Sequence, residues 1–162
     1  MTNEHLATYL NDHLAGAVAA VELMEHVEKT YADTSVGRIV ADVRADVEAD
    51  RAELEALIAR LQVAQSAVRK AAAWLAERAA RLKLRADDPA GGPLHLLEAV
   101  EAISLGIEGK GALWRLLAAV APSVPVLQTL DYARLLDRAE SQGGRLEPVR
   151  LEAARVAFGG PT

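Results

Sequence analysis

The chain has 162 residues, including 33 Ala and 23 Leu; it is 51% hydrophobic, 25% charged and carries a net charge of −5. That length suits a single domain closing its own core, and the lack of Cys excludes disulfides, thiolate metal sites and cysteine nucleophiles. No stretch approaches the roughly 18 uninterrupted apolar residues of a transmembrane helix, the opening MTNEHLATYLNDH lacks a signal-peptide layout, and a cytoplasmic location is the expectation.

Residues 2–32 read as the first helix, with Thr2 as its N-cap. Steps of four and three give the seam Leu6, Leu10, His13, Ala17, Ala20, Met24, Val27 and Tyr31. A tight connection, Tyr31-Ala32-Asp33-Thr34-Ser35, leads into a second helix over 35–63. Its seam is Val36, Val40, Val43, Val47, Asp50, Leu54, Leu57 and Leu61. So short a turn makes the two helices antiparallel neighbours.

Ser66 caps a third helix over 67–85, apolar along Val68, Ala71, Ala72, Leu75, Ala79 and Leu82. The loop Ala86-Asp87-Asp88-Pro89-Ala90-Gly91-Gly92 follows, and Pro93 suits the first turn of a helix over 93–121. That helix is apolar nearly all round, which predicts a central, buried position. The last helix spans 125–158 with the seam Tyr132, Leu135, Ala139, Gln142, Leu146, Val149, Ala153 and Val156. Gly143, Gly144 and Pro148 predict a bend or a break in it.

These elements sum to an all-α, ferritin-like antiparallel four-helix bundle with an extra helix in the crossover. The crossover, about 64–92, is long enough that the next helix can start at either end of the bundle. The chain also resembles an uncharacterised bacterial family related to ferritin-like proteins. The resemblance rests on Tyr9-Leu10-Asn11-Asp12-His13-Leu14-Ala15-Gly16, Ala72-Ala73-Trp74-Leu75-Ala76-Glu77 and Glu108-Gly109-Lys110-Gly111-Ala112-Leu113-Trp114. It covers most of the chain and implies a bundle fold, but no particular activity and no catalytic residues.

A ferritin-like di-metal centre needs a Glu from each of two helices and Glu-x-x-His from the other two. Three residues before His5, His13, His26 and His95 stand Thr2, Leu10, Leu23 and Gly92, so the motif does not occur. The reversed His95-x-x-Glu98 occurs once. Glu22 and His26 share a face opposite the seam and read as a solvated pair. Glu101, Ser104 and Glu108, with Arg115 beyond, form a polar stripe that reads as solvent-facing.

His13 and Asp50 are the polar interruptions of the first two seams. The turn geometry sets His13 beside Leu54, within about one turn of Asp50 and Glu53. The simplest reading is a buried structural pair, His13 with Asp50, which Gln142 could join. Neither cofactor nor metal is expected. Were iron or manganese present, His13, Asp50, Glu53, Glu101 and Glu108 would be the candidate ligands.

Charge is uneven: residues 1–65 carry a net −7, 66–85 a net +5 and the remainder a net −3. Lys70, Trp74, Arg78, Arg81 and Arg85 form a basic face that could meet nucleic acid or an anionic membrane. Pairing with acidic neighbours in the bundle is the favoured reading, since the whole-protein field is acidic. Gly106, Gly109 and Gly111 lack the preceding strand of a phosphate loop and suit close helix contact instead. The functional expectation is a non-catalytic bundle acting through binding or self-association, with a homo-oligomer in view. A metal-binding oxidoreductase with a non-standard carboxylate/His site is the alternative.

Overall fold

A computed structural model describes residues 2–61 and 92–159, and among these every regular element is helical. The elements are α1 (Thr2–Thr30), α2 (Ser35–Arg60), α3 (Pro93–Val120) and α4 (Tyr132–Phe158), with short 3₁₀ turns at Ala121–Ser123 and Pro125–Thr129. The helix expected over 67–85, its Ser66 cap and its basic face (Lys70, Trp74, Arg78, Arg81 and Arg85) lie outside the described residues.

Local chemistry sets the boundaries. Asp33 takes a left-handed conformation (φ 64°) that ends the α1 turn. Thr34 then caps α2: its Oγ1 accepts from Gly37 N at 3.2 Å and donates to Tyr31 O at 2.7 Å. Gly37 is required there, because a Cβ would run into the Tyr31 carbonyl. Pro93 occupies the first turn of α3, where a missing N–H costs nothing.

Two features of the last helix differ from the expectation. It begins at Tyr132 rather than 125, because Pro122 and Pro125 hold the preceding chain in 3₁₀ turns. Asp131 supplies the cap, accepting from Arg134 N at 3.1 Å. The helix also runs unbroken through Pro148. That residue is exposed, as is Gly144 four positions back, so water can take the carbonyl that loses its N–H partner.

Paired residues give the helix directions. The His26 ring meets that of His95 at 6.0 Å, and Gly106 stands opposite Ala20, so α1 and α3 are antiparallel. Asp46 pairs with Arg145, Asp50 with Arg138 and Glu53 with Arg134, so α2 and α4 are antiparallel. Glu101 with Arg150 and Lys110 with Gln142 show the same for α3 and α4. Hence α1 and α4 run one way, α2 and α3 the other, and like-directed helices stand diagonally. Pro93 and Leu96 lie beside Ser35 and Val36, whereas Leu61 packs at the opposite end with Leu10, Trp114 and Leu127. The third long helix therefore starts at the end where α2 starts.

The apolar interior falls into two clusters. One gathers Met24, Val43, Val47, Ile103, Ile107 and Leu146; the other gathers Leu10, Leu54, Leu57, Leu113, Trp114 and Leu135. Buried apolar side chains of this kind supply most of the stabilisation, about 1.5–3 kcal/mol each. Between the clusters lies a polar layer containing Asp50, Lys110 and Gln142.

The seams of α2 and α4 are buried nearly as the periodicity predicts, except for half-buried Val36 and Tyr132 and exposed Val156. The helix α3 is not enclosed all round: Leu94, Leu105 and Leu116 are 50%, 69% and 44% exposed.

Candidate functional site

The polar layer begins with Asp50, only 1% exposed at the middle of the α2 seam. Its Oδ1 accepts from Arg138 Nε at 2.6 Å, and its Oδ2 accepts from Gln142 Nε2 at 2.9 Å. Lys110 Nζ donates to the same Oδ2 and also to Gln142 Oε1. A buried carboxylate thus meets two cations and an amide, which offsets the cost of removing it from water. Burial lowers the Lys110 pKa; Asp50 pulls it back up and Arg138 pushes it further down.

This arrangement corrects the expected pair. His13 stands half-buried near Asp50, but its ring packs edge-on against Tyr9 at 4.7 Å and makes no hydrogen bond to Asp50. Lys110 and Arg138 take the place assigned to it. Burial lowers the His13 pKa, and the neighbouring Asp12 only partly opposes this. Gln142 does join Asp50.

Lys110 and Arg138 were missed because long side chains reach the layer from the flanks of their helices. Lys110 sits among glycines in a largely apolar helix, and Arg138 sits one position before the seam residue Ala139. The available signal was Asp50 and Gln142 together: two buried seam amides or carboxylates call for cationic donors.

A cavity of about 180 Å³ opens beside this layer, among α1, α2 and α3. Met24, Val47, Leu54, Ile107 and Leu113 form its apolar wall, and Asp50, Lys110, His13 and Trp114 also line it. Its sequence origin is the run of small residues Gly16, Ala17 and Ala20 on α1, facing Gly106 and Gly109 on α3. Gly106 meets the Ala20 side chain on α1 and Gly111 meets Ala139 on α4, the close helix contact expected of them, whereas Gly109 borders the space with no neighbour within 4 Å of where a Cβ would stand. Asp12, Gly16 and Gly106 on the lining are exposed, marking the side that faces water.

The remaining candidates do not converge. Glu53 pairs with Arg134 at 2.6 Å, and Glu101 with Arg150 at 3.2 Å on the surface. Glu108 is exposed, and Ser104 donates to the Val100 carbonyl at 2.9 Å. Glu22 is exposed, while His26 meets His95. Among the described residues no group of three or more His, Asp or Glu gathers where a metal ion could sit. Both Asp50 oxygens already face cationic donors, which does not suit a metal ligand. No described helix is long and apolar enough to cross a membrane. Comparison with protein-family models, curated proteins and solved structures gives no match to the chain.

Proposed function

We propose that this is a non-catalytic helical-bundle protein that acts by binding, holding a small, largely apolar molecule in the cavity among α1, α2 and α3. The observation that carries this reading is the cavity of about 180 Å³ with mostly aliphatic walls. For scale, an apolar cavity of ~150 Å³ accommodates benzene. The adjoining layer reads as scaffold rather than reagent, since Asp50 accepts on both oxygens and Gln142 both donates and accepts.

Thermal unfolding with benzene-sized neutral compounds tests the proposal. Toluene or indole should raise the midpoint by mass action, and Ala17→Leu, which fills the cavity, should abolish the rise. Equal responses in the two proteins would overturn it.

Kinship with ferritin-like bundles belongs to the same proposal. It is supported by the diagonal placement of α2 and α3 and by the start of α3 at the far end from Leu61. Self-association is the companion reading. It is favoured by exposed Leu94, Leu105 and Leu116, which recur every eleven residues and so share one face of α3. Sedimentation equilibrium of Leu105→Glu against wild type is its test.

A further inference from the structure

We infer that the cavity's ligand is a small monocarboxylate whose apolar body is about the size of one aromatic ring or a short alkyl chain. The inference rests on the cavity-binding reading above and adds the chemistry of the head group.

Charge supplies the first argument. The polar layer holds two cations, Lys110 and Arg138, against the single carboxylate of Asp50. Nearby Arg51, Arg134 and Arg145 are matched by Glu55, Glu53 and Asp46. Asp12 is the other acid on the cavity lining, and it is exposed to water. Among the described residues Lys110, 12% exposed, thus shares its one buried counter-charge with Arg138, 21% exposed, an arrangement that an anion relieves.

The donor inventory supplies the second. A lysine ammonium has three N–H donors and no acceptor. Lys110 directs two of them to Asp50 Oδ2 and Gln142 Oε1, and among the described residues nothing accepts the third. One turn along α3, Trp114 is fully buried, and its indole N–H has no acceptor among the described residues. Both residues line the cavity. An unspent buried donor such as the Trp114 indole N–H is uncommon in folded proteins and calls for an acceptor, which the remaining Lys110 N–H would share. A carboxylate offers two oxygens and a negative charge, whereas a ligand ammonium would be repelled by Lys110 and would offer the Trp114 N–H no acceptor.

Shape supplies the third. Away from Lys110 the wall is mainly Met24, Val47, Leu54, Ile107 and Leu113; Arg51 also lines the cavity but is paired with Glu55, so the rest of the ligand is hydrocarbon.

The test uses the full chain carrying Trp74→Phe, which leaves Trp114 as the sole tryptophan reporter. Benzoate and hexanoate are titrated against benzyl alcohol, hexanol and benzylamine, with fluorescence and calorimetry as readouts. Carboxylates should bind at least about tenfold more tightly than the matched alcohols, as charge-assisted hydrogen bonds require. Benzylamine should be the weakest. Lys110→Met should reduce the carboxylate preference to less than about threefold while alcohols still bind, and Ala17→Leu should block every probe. If alcohols bind as well as carboxylates and Ala17→Leu blocks both, the cavity reading stands and the carboxylate inference fails. If no probe binds wild type, both fail. Should Lys110→Met not fold, the carboxylate-to-alcohol ratio in wild type decides alone.

Discussion

Arg138 Nε donates to Asp50 Oδ1 at 2.6 Å, joining α4 to α2 across 88 positions of sequence inside the core. Removing one partner of a buried ion pair leaves the survivor unpaired, which costs about 3–5 kcal/mol. Asp50→Ala leaves Lys110, 12% exposed, without its counter-charge and should lose up to that much in urea-unfolding free energy. Asp50→Leu combined with Lys110→Met should recover part of it, since the remaining Arg138 is 21% exposed and can turn toward water. A double variant no better than the single would show that the layer does not act as a unit.

Glu101 provides the contrast. It too is an acid on a long helix, and it pairs with Arg150 at 3.2 Å, but its side chain is 49% exposed. Water and salt screen that contact, so Glu101→Ala should change stability by only about 0–1 kcal/mol in the same measurement. The two acids were both candidates by sequence, and burial alone separates them.

How far sequence carries depends on which faces are one-sided. Along α2 the stripe from Val40 to Leu57 is buried as its period predicts, because a single arc meets the core. Along α4 the same holds from Leu135 to Ala153, with Gln142 inside it. The middle of α1 was less legible, because Gly16 and Ala17 border a cavity rather than a packed partner. Asp50's place in the interior follows from periodicity, but its partners do not. They depend on α3 starting beside Ser35, a choice the crossover length left open, and on Lys110 crossing the bundle to α2. Seam polarity and level along the axis point His13 to Asp50, but neither shows that Lys110 and Arg138 reach that carboxylate from the flanks of α3 and α4.

Gly37 makes a third case, local to the α1–α2 turn. The Tyr31 carbonyl accepts from Thr34 N at 3.2 Å and Thr34 Oγ1 at 2.7 Å, and Gly37 lies close against it. An added methyl must displace that carbonyl and disturb both bonds. Gly37→Ala should therefore destabilise by about 1–3 kcal/mol, the usual cost of overpacking, despite alanine's better helix propensity. Chemical denaturation checks the sign, and a stabilised variant would mean the turn relaxes freely.

His13 should make the fold sensitive to mild acid. Its imidazole is half-buried beside Tyr9, and desolvation holds its pKa below the ordinary 6.5, with Asp12 opposing in part. Between the folded and unfolded values the unfolded chain binds the proton more readily, so stability rises with pH across that window. Equivalently, stability is fully present above pH 6.5 and is lost as pH falls through the folded pKa. Carboxylates elsewhere add their own acid slope, so the readout is a difference between proteins. In paired urea titrations from pH 7.5 to about 5, wild type should lose more stability than His13→Gln. The imidazole of His13, followed by NMR, should titrate below 6.5. A midpoint above that value, or a smaller loss in wild type than in His13→Gln, would mean that Asp12 outweighs burial and that the sign is reversed; equal slopes would mean that the two cancel.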